Sequence, residues 1–332
     1  METLVSTFIT NISKKFHKNW NKPNENVFFG KTNHFKNFSV SVKVGTMILA
    51  AGRGNIADHS FLEILAPNSR TTIQLPNLPY EDPSCSIFIH NGTLMICGGY
   101  REDNPKKCYQ LSNGIWTKFS DLNCNRFSTH VVSTNEATYL FGGNGASKTF
   151  EFLPKNGKTW KLGENEIPKG FCDGSAVEIK SRNEIWLIGG TESCKRILIF
   201  DLKTHIFKEL PSTLNRLRFM SKSISLILNG IEVILVTGGN GGRNLRTVEI
   251  INTQDGSCTL LTNKMVFPRL GHGIGILKIE NQEKIAVFGG SDGKGNPQDS
   301  VEIFDIETKE WKLAENIKLK EARYFFPFIN FI

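Results

Sequence analysis

The chain repeats a short hydrophobic run that ends in two glycines. The run reads TLMICGG at 93–99, ATYLFGG at 137–143, EIWLIGG at 184–190, EVILVTGG at 232–239 and KIAVFGG at 284–290, and a degenerate copy, TMILAAG, stands at 46–52. Short apolar runs bounded by turn residues are typical of buried β-strands. The last glycine of each copy falls at 52, 99, 143, 190, 239 and 290, so the period of 44–51 residues predicts six structural repeats.

Turn signals divide each repeat into further strands. Asn-Gly or Asp-Gly pairs separate short apolar segments at 91–92, 113–114, 156–157, 229–230 and 255–256. These dipeptides supply the positive-φ positions of hairpin turns whose twist matches the flanking strands. An aromatic residue follows late in several repeats, as Trp160 and Trp311 do. Each repeat therefore predicts a four-stranded antiparallel meander, and six meanders must share a core because none can bury both faces alone.

These residues resemble kelch repeats, which combine a double glycine with a later tryptophan. The resemblance covers residues 46–332, and no Trp-Asp dipeptide supports a WD-repeat alternative. It implies an all-β, six-bladed kelch β-propeller with four-stranded antiparallel blades, which we assign to residues 36–332. The tryptophans would pack between adjacent blades.

The chain ends suggest how the ring closes. Residues 321–330 resemble the segment at 268–276 that opens a repeat, and no further glycine pair follows them. We therefore expect the C-terminal strand to lie beside residues 46–52 and to close the ring, which removes a sheet edge. The alternative is that FSVSVKV at 38–44 takes the same place.

Residues 1–35 have a different pattern. Leu4, Phe8, Ile12, Phe16 and Trp20 recur every four residues, which predicts an amphipathic helix in an N-terminal extension. This helix would either cap the propeller or dock on a partner or a membrane surface.

Composition narrows the class of protein. The 24 Phe and 30 Gly favour β structure, and the longest apolar stretch, at 224–236, is interrupted by polar residues and a glycine, so no membrane-spanning helix is predicted. No secretory signal precedes the repeats, so we expect a cytoplasmic protein. The seven cysteines are odd in number and form no CxxC pair, which favours reduced thiols. The net charge of +8 without a run of five basic residues argues against nucleic-acid binding and is compatible with an acidic partner.

Basic residues recur in two sets of loops that emerge on one face of such a propeller. We predict a basic rim there, and kelch propellers commonly hold a partner peptide on these loops. The loops after the glycine pairs offer Arg53, Tyr100, Arg101, Asn144, Asn240 and Arg243, and the loops entering the inner strands offer Arg126, Lys169, Arg216, Arg218, Arg269 and Arg323. Arginine forks bind carboxylates. The alternative is that several of these arginines pair with carboxylates inside the propeller.

The resemblance favours a non-enzymatic interaction module that binds an acidic segment of a partner protein, as the substrate-recognition subunit of a ubiquitin ligase. Actin or cytoskeletal binding is the alternative within the family. A propeller enzyme of the galactose-oxidase type would hold copper with Tyr and His, but His130 and His272 form no clustered ligand pair. No Ser-His-Asp order, phosphate loop or zinc spacing occurs either, so we predict no catalytic residue, no metal and no cofactor.

Overall fold

The structure, a computed structural model, describes residues 48–51, 62–65, 84–100, 105–192, 194–280 and 282–330. Within these ranges the chain is built from 23 β-strands and one three-residue 3-10 turn, Lys180–Arg182. None of the helices in the described ranges is long and apolar enough to cross a membrane. The predicted amphipathic segment at 1–35 and the alternative strand at 38–44 lie outside the described residues.

Five antiparallel sheets have four strands each and form the blades of the propeller. Blade 1 consists of β3 (Ser86–His90), β4 (Thr93–Cys97), β5 (Cys108–Ser112) and β6 (Ile115–Lys118). Blade 2 consists of β7 (His130–Ser133), β8 (Ala137–Phe141), β9 (Phe150–Pro154) and β10 (Lys161–Leu162). Blade 3 consists of β11 (Ser175–Ile179), β12 (Glu184–Ile188), β13 (Ile197–Asp201) and β14 (Phe207–Glu209).

Blades 4 and 5 repeat this up-and-down order with longer strands. Blade 4 consists of β15 (Lys222–Leu228), β16 (Ile231–Thr237), β17 (Val248–Asn252) and β18 (Cys258–Leu260). Blade 5 consists of β19 (Gly273–Ile279), β20 (Gln282–Phe288), β21 (Gln298–Phe304) and β22 (Trp311–Arg323). The remaining strands, β1 (Ile48–Ala51), β2 (Leu62–Leu65) and β23 (Phe328–Asn330), form one three-stranded sheet.

The prediction of six four-stranded blades is wrong, because the described residues form five. A glycine-ended hydrophobic run marks one strand of a repeat and does not establish that three further strands join it. At the first predicted repeat, where Ala51 replaces a glycine, the described residues supply only β1 and β2, and the C-terminal β23 is the third strand of that sheet.

The inner strands surround a common axis. Contacts run from β3 to β7, β11, β15, β19 and β23 in turn, and β23 contacts β3. The C-terminal strand lies beside β1, where the sequence led us to expect it, with Ala50 opposite Phe328. This pairing joins the two ends of the described chain.

Aromatic and aliphatic side chains fill the spaces between blades. Phe141 and Phe150 of blade 2 pack on Phe200 of blade 3, with ring centroids 5.1 and 4.9 Å away. Trp160 of blade 2 meets Phe88 of blade 1 edge to face at 5.9 Å, as the repeat pattern predicts. Each such buried side chain contributes roughly 1.5–3 kcal/mol to folding, so these contacts between blades stabilise the ring.

The glycine pair is needed because two segments of the backbone approach each other closely where β8 ends. Gly143 has φ +88°, and a Cβ placed there would lie 2.7 Å from the carbonyl oxygen of Phe127. Its N–H donates to the carbonyl oxygen of Phe171, in the loop entering the next blade, at 2.8 Å. The glycines thus let each blade accept a backbone hydrogen bond from its neighbour. We call the face of the propeller that carries these turns the glycine face.

The expectation that all seven thiols are reduced is wrong for two of them. Cys97 ends β4, Cys108 begins β5, and the two are paired across the strands with Cα atoms 4.2 Å apart in a disulfide. A separation of 11 positions in the sequence could not reveal that the two cysteines are neighbours, since this depends on strand register. The other five are free thiols: Cys85, Cys124, Cys172, Cys194 and Cys258.

Candidate functional site

Three of the predicted rim arginines form buried ion pairs inside their own blades. Arg126, Arg218 and Arg269 each donate from Nε to a glutamate of the third strand, at 2.9, 2.8 and 2.9 Å, and the side chains of both partners are 0% exposed. The glutamates are Glu151, Glu249 and Glu302. The arginines recur in the sequence because the pair recurs in the blades.

Each ion pair belongs to a larger network of hydrogen bonds, which blade 4 illustrates. Nη1 of Arg218 donates to the carbonyl oxygens of Gly238 and Thr247 at 2.6 and 3.0 Å, and the Glu249 carboxylate accepts the backbone N–H groups of Asn215 and Arg216. The network therefore ties the loop entering the blade to the glycine turn and to the third strand. Charged hydrogen bonds of this kind are short and strong because water is excluded.

These contacts settle where the guanidinium groups of Arg126, Arg218 and Arg269 point. They are saturated within the blades, as the alternative weighed from the sequence supposed. Arg323 is also fully buried, and its Nε donates to the carbonyl oxygen of Glu321 at 3.3 Å. Charge reversal at any of the three paired arginines would disrupt folding and so would not test binding.

The other predicted positions are distributed over the glycine face. Lys169, Arg216 and Arg243 are exposed, and Tyr100 is 67% exposed and packs on Phe127 with ring centroids 5.0 Å apart. Asn144 and Asn240 are half-buried and form bridges to the loops entering their blades. Arg53 and Arg101 lie outside the described residues.

The sequence reasoning missed exposed apolar side chains in the loops that contact the turn carrying Arg243. Leu217 and Phe267 are 48% and 39% exposed, and Val266 is also exposed. The turn at 240–245 packs against the backbone of Leu217 on one side and accepts the Arg269 N–H at the Leu245 carbonyl oxygen on the other. We call Arg216, Leu217, Arg243, Val266 and Phe267 the basic–apolar surface. The available signal was an apolar residue one or two positions before each buried arginine.

A cavity of about 470 Å³ occupies the channel between the inner strands. Its charged and titratable lining residues are Asp173, Lys222, His130, Glu178 and Lys180. Serine and threonine hydroxyls from several strands also line it, including Ser84, Ser128, Thr129, Ser175 and Ser223.

The two histidines considered as metal ligands of an enzyme have different surroundings, and His130 is the one that lines the cavity. His272 is buried, and its Nε2 lies 2.8 Å from the Thr237 hydroxyl, so it is bound within the protein. Burial holds the pKa of both His272 and His130 well below the usual value, and nearby cations lower it further. Among the described residues, no group of three or more His, Cys, Asp or Glu side chains is placed to hold a metal ion.

Comparison with known proteins adds one match. The Kelch motif matches residues 282–316, which run from the start of β20 into β22 in blade 5. No curated protein matches the chain. The blades stand around one axis as a β-propeller, and the Kelch motif matched in blade 5 supports a propeller of the kelch-repeat type.

Proposed function

We propose that this propeller is a non-enzymatic module that binds an acidic segment of a partner protein on its basic–apolar surface. Kelch propellers are typically interaction folds, which supports the general class of function. The observation that carries the finer proposal is the contrast between arginines. Arg218 and Arg269 are neutralised inside the blades, whereas no carboxylate among the described residues pairs with the side chains of Arg216 and Arg243.

The apolar members of the surface support a peptide rather than a small anion as the ligand. Leu217 and Phe267 are large, solvent-exposed side chains; Leu217 follows Arg216 in the chain, and the loops of both contact the turn that carries Arg243. Interaction surfaces commonly combine an apolar centre with a polar rim, and a few aromatic or arginine residues supply most of the affinity. A segment with acidic residues flanking an apolar one would satisfy both parts.

The kelch resemblance suggests two classes of partner. We propose that the bound protein is a substrate delivered to a ubiquitin ligase, and binding to actin is the alternative. Either partner could present an acidic segment, so the identity of the captured protein distinguishes these classes.

The test is quantitative affinity capture with a charge-reversed variant. Arg216→Glu combined with Arg243→Glu should lose most of the proteins captured by the wild type, because neither side chain forms an ion pair within the described residues whose loss would unfold a blade. The matched control is Lys161→Glu with Lys208→Glu, which reverses two exposed charges on the outer strands β10 and β14. Peptides tiling a captured protein then locate the segment, which should be acidic.

Three results would overturn the proposal. The first is full capture by the arginine double variant while it remains folded. The second is equal loss in the lysine control, which would indicate a nonspecific charge effect. The third is a bound segment without acidic residues. Recovery of actin instead of a ligase scaffold would reject the ubiquitin-ligase form and keep the binding site.

A further inference from the structure

The channel cavity contains a lysine, Lys222, that forms no ion pair with any carboxylate of the described residues. Lys222 begins β15 and lies opposite Thr237 in the register of blade 4. Its Nζ is 5.5 Å from the ring centroid of Phe328, on the C-terminal strand. Among the described residues, no carboxylate lies within ion-pair distance of this amine, in contrast to the arginines of the blades.

The environment of Lys222 disfavours its charge. Removal from water lowers the pKa of Lys222 to about 8, although the charge of Asp173 acts in the opposite direction. An ammonium group that is half-buried without an acceptor is unfavourable unless something supplies one. The cavity beside it has the volume of a small-molecule site, for which roughly 300–1,000 Å³ is usual.

The positions of the neighbouring groups follow from a ring of backbone hydrogen bonds at the mouth of the channel. The N–H of Met220 donates to the carbonyl oxygen of Asp173, that of Gly271 to Met220, and that of Phe325 to Gly271. Asp173, Met220 and Phe325 all have φ between +51° and +55°. The inner strands of blades 3 and 4 and the C-terminal strand are therefore entered in the same way, and Lys222, two positions after Met220, lines the cavity.

The other polar side chains of the cavity are suited to hydrogen-bond the hydroxyl groups of a ligand rather than to bind a second charged group. Desolvation raises the pKa of Asp173, while Lys222 and the Ser128 hydroxyl lower it. His130 is kept neutral at physiological pH by burial and by Lys222. The Ser175 and Ser223 hydroxyls lie 2.7 Å apart and bridge blades 3 and 4. The remaining charged lining residues are Glu178, near the end of β11, and Lys180, just beyond this strand.

We propose that the channel binds a small hydroxylated carboxylate, with its carboxylate on Lys222 and its hydroxyls on Asp173 and the channel serines. A neutral sugar would leave the ammonium unpaired, and a cation would be repelled by it. An inorganic dianion would place its second charge against Asp173 without using the hydroxyl groups. This site lies in the channel and does not depend on the basic–apolar surface.

The proposal is tested by calorimetric titration of the full chain with the monoanions gluconate and glycerate as hydroxycarboxylate probes, and with glucose and inorganic phosphate for comparison. We expect at least one hydroxycarboxylate to bind, and glucose and phosphate to bind at least tenfold more weakly. Because only the protonated amine attracts the anion, affinity should fall about tenfold between pH 7 and pH 9, given a pKa of about 8.

Two variants identify the anchoring group. Lys222→Met removes the charge with little change in volume and should weaken hydroxycarboxylate binding at least tenfold. Lys278→Met, an exposed lysine farther along in the sheet of blade 5, should leave it unchanged. The proposal is overturned if neither hydroxycarboxylate binds to the wild type, if folded Lys222→Met binds equally well, or if phosphate binds more tightly than both. Loss of protein capture by the arginine variant with unchanged gluconate binding would separate this site from the basic–apolar surface.

Discussion

In blades 2, 4 and 5 a buried ion pair connects the loop that enters the blade to the third strand, whereas in blade 3 apolar side chains occupy the same two positions. Phe171 occupies the position of Arg126, Arg218 and Arg269, since its carbonyl oxygen accepts the same glycine N–H in the turn of the preceding blade. Leu198 occupies the position of the paired glutamates on the third strand. Phe171 and Leu198 are both buried in one hydrophobic cluster of blades 2 and 3.

The difference between the blades extends to the backbone N–H groups of the entering loop, which donate to the glutamate in the blades that have the ion pair. In blade 4 the Glu249 carboxylate accepts the N–H of Asn215, three residues before the arginine. The corresponding residue of blade 3 is Pro168, which has no N–H to satisfy. Its carbonyl oxygen instead accepts a hydrogen bond from Nη1 of Arg196, which pairs with Glu209 on β14.

The comparison shows that the arginine, its glutamate and the loop N–H groups bound by that glutamate form one set of groups that occur together. A buried ion pair contributes little net stability over a well-packed apolar pair, but removal of one partner is strongly destabilising. A blade can therefore carry either complete set, and mixed sets should be unstable. This expectation can be tested in both directions.

The largest effect should come from breaking one pair. Glu249→Gln keeps the shape of the side chain but leaves the Arg218 charge buried without a counter-charge. We expect the free energy of unfolding to fall by about 3–5 kcal/mol, measured by urea denaturation. Glu283→Gln, an exposed glutamate on β20, is the matched control and should stay within about 0.5 kcal/mol of the wild type. A loss at position 249 no larger than at 283 would show that the pair is not essential.

A smaller effect should follow from transferring the apolar set of blade 3 into blade 4. Arg218→Phe with Glu249→Leu should be less destabilised than the sum of the single variants by about 2 kcal/mol or more, since each single change leaves a buried charge unpaired. The double variant still leaves the Asn215 and Arg216 N–H groups without the carboxylate. Adding Asn215→Pro should recover part of this loss. Additive single variants would contradict the idea of two interchangeable sets.

The sequence predicted the repeated unit better than it predicted what the repeated residues do. Strand order and the place of the C-terminal strand followed from local patterns, because glycine turns and apolar runs act over a few residues. The partner of Arg218 stands 31 residues away in Glu249 and belongs to another strand, so spacing alone could not pair them. The signal was present all the same: blades with the arginine carry a glutamate in the apolar segments FEF at 150–152, VEI at 248–250 and VEI at 301–303, whereas the blade with Phe171 has ILI at 197–199.

The surface predictions failed to separate burial from exposure for the same reason. Arg216 and Arg218 differ by two positions in one loop, yet the first is exposed and the second is fully buried. Only the carboxylate that reaches into the loop decides which of them turns inward. The exposed Leu217 between them was overlooked because an apolar residue in a repeat is usually assigned to the core.

The smallest expected effect concerns Lys222, a half-buried cation that, unlike the blade arginines, forms no ion pair with a carboxylate of the described residues. Because its pKa in the folded state, about 8, is below the usual value of a lysine, the unfolded chain binds the proton more tightly, and the charge destabilises the fold at neutral pH. Lys222→Met should therefore raise the melting temperature at pH 7 by about 2 °C, an effect kept small by partial solvent access. The penalty fades as the pH rises from about 8 towards 10.4, where the amine is neutral in the native protein, so the two melting temperatures should converge there. A variant that melts below the wild type at pH 7 would mean that Lys222, like Arg218, has a stabilising partner.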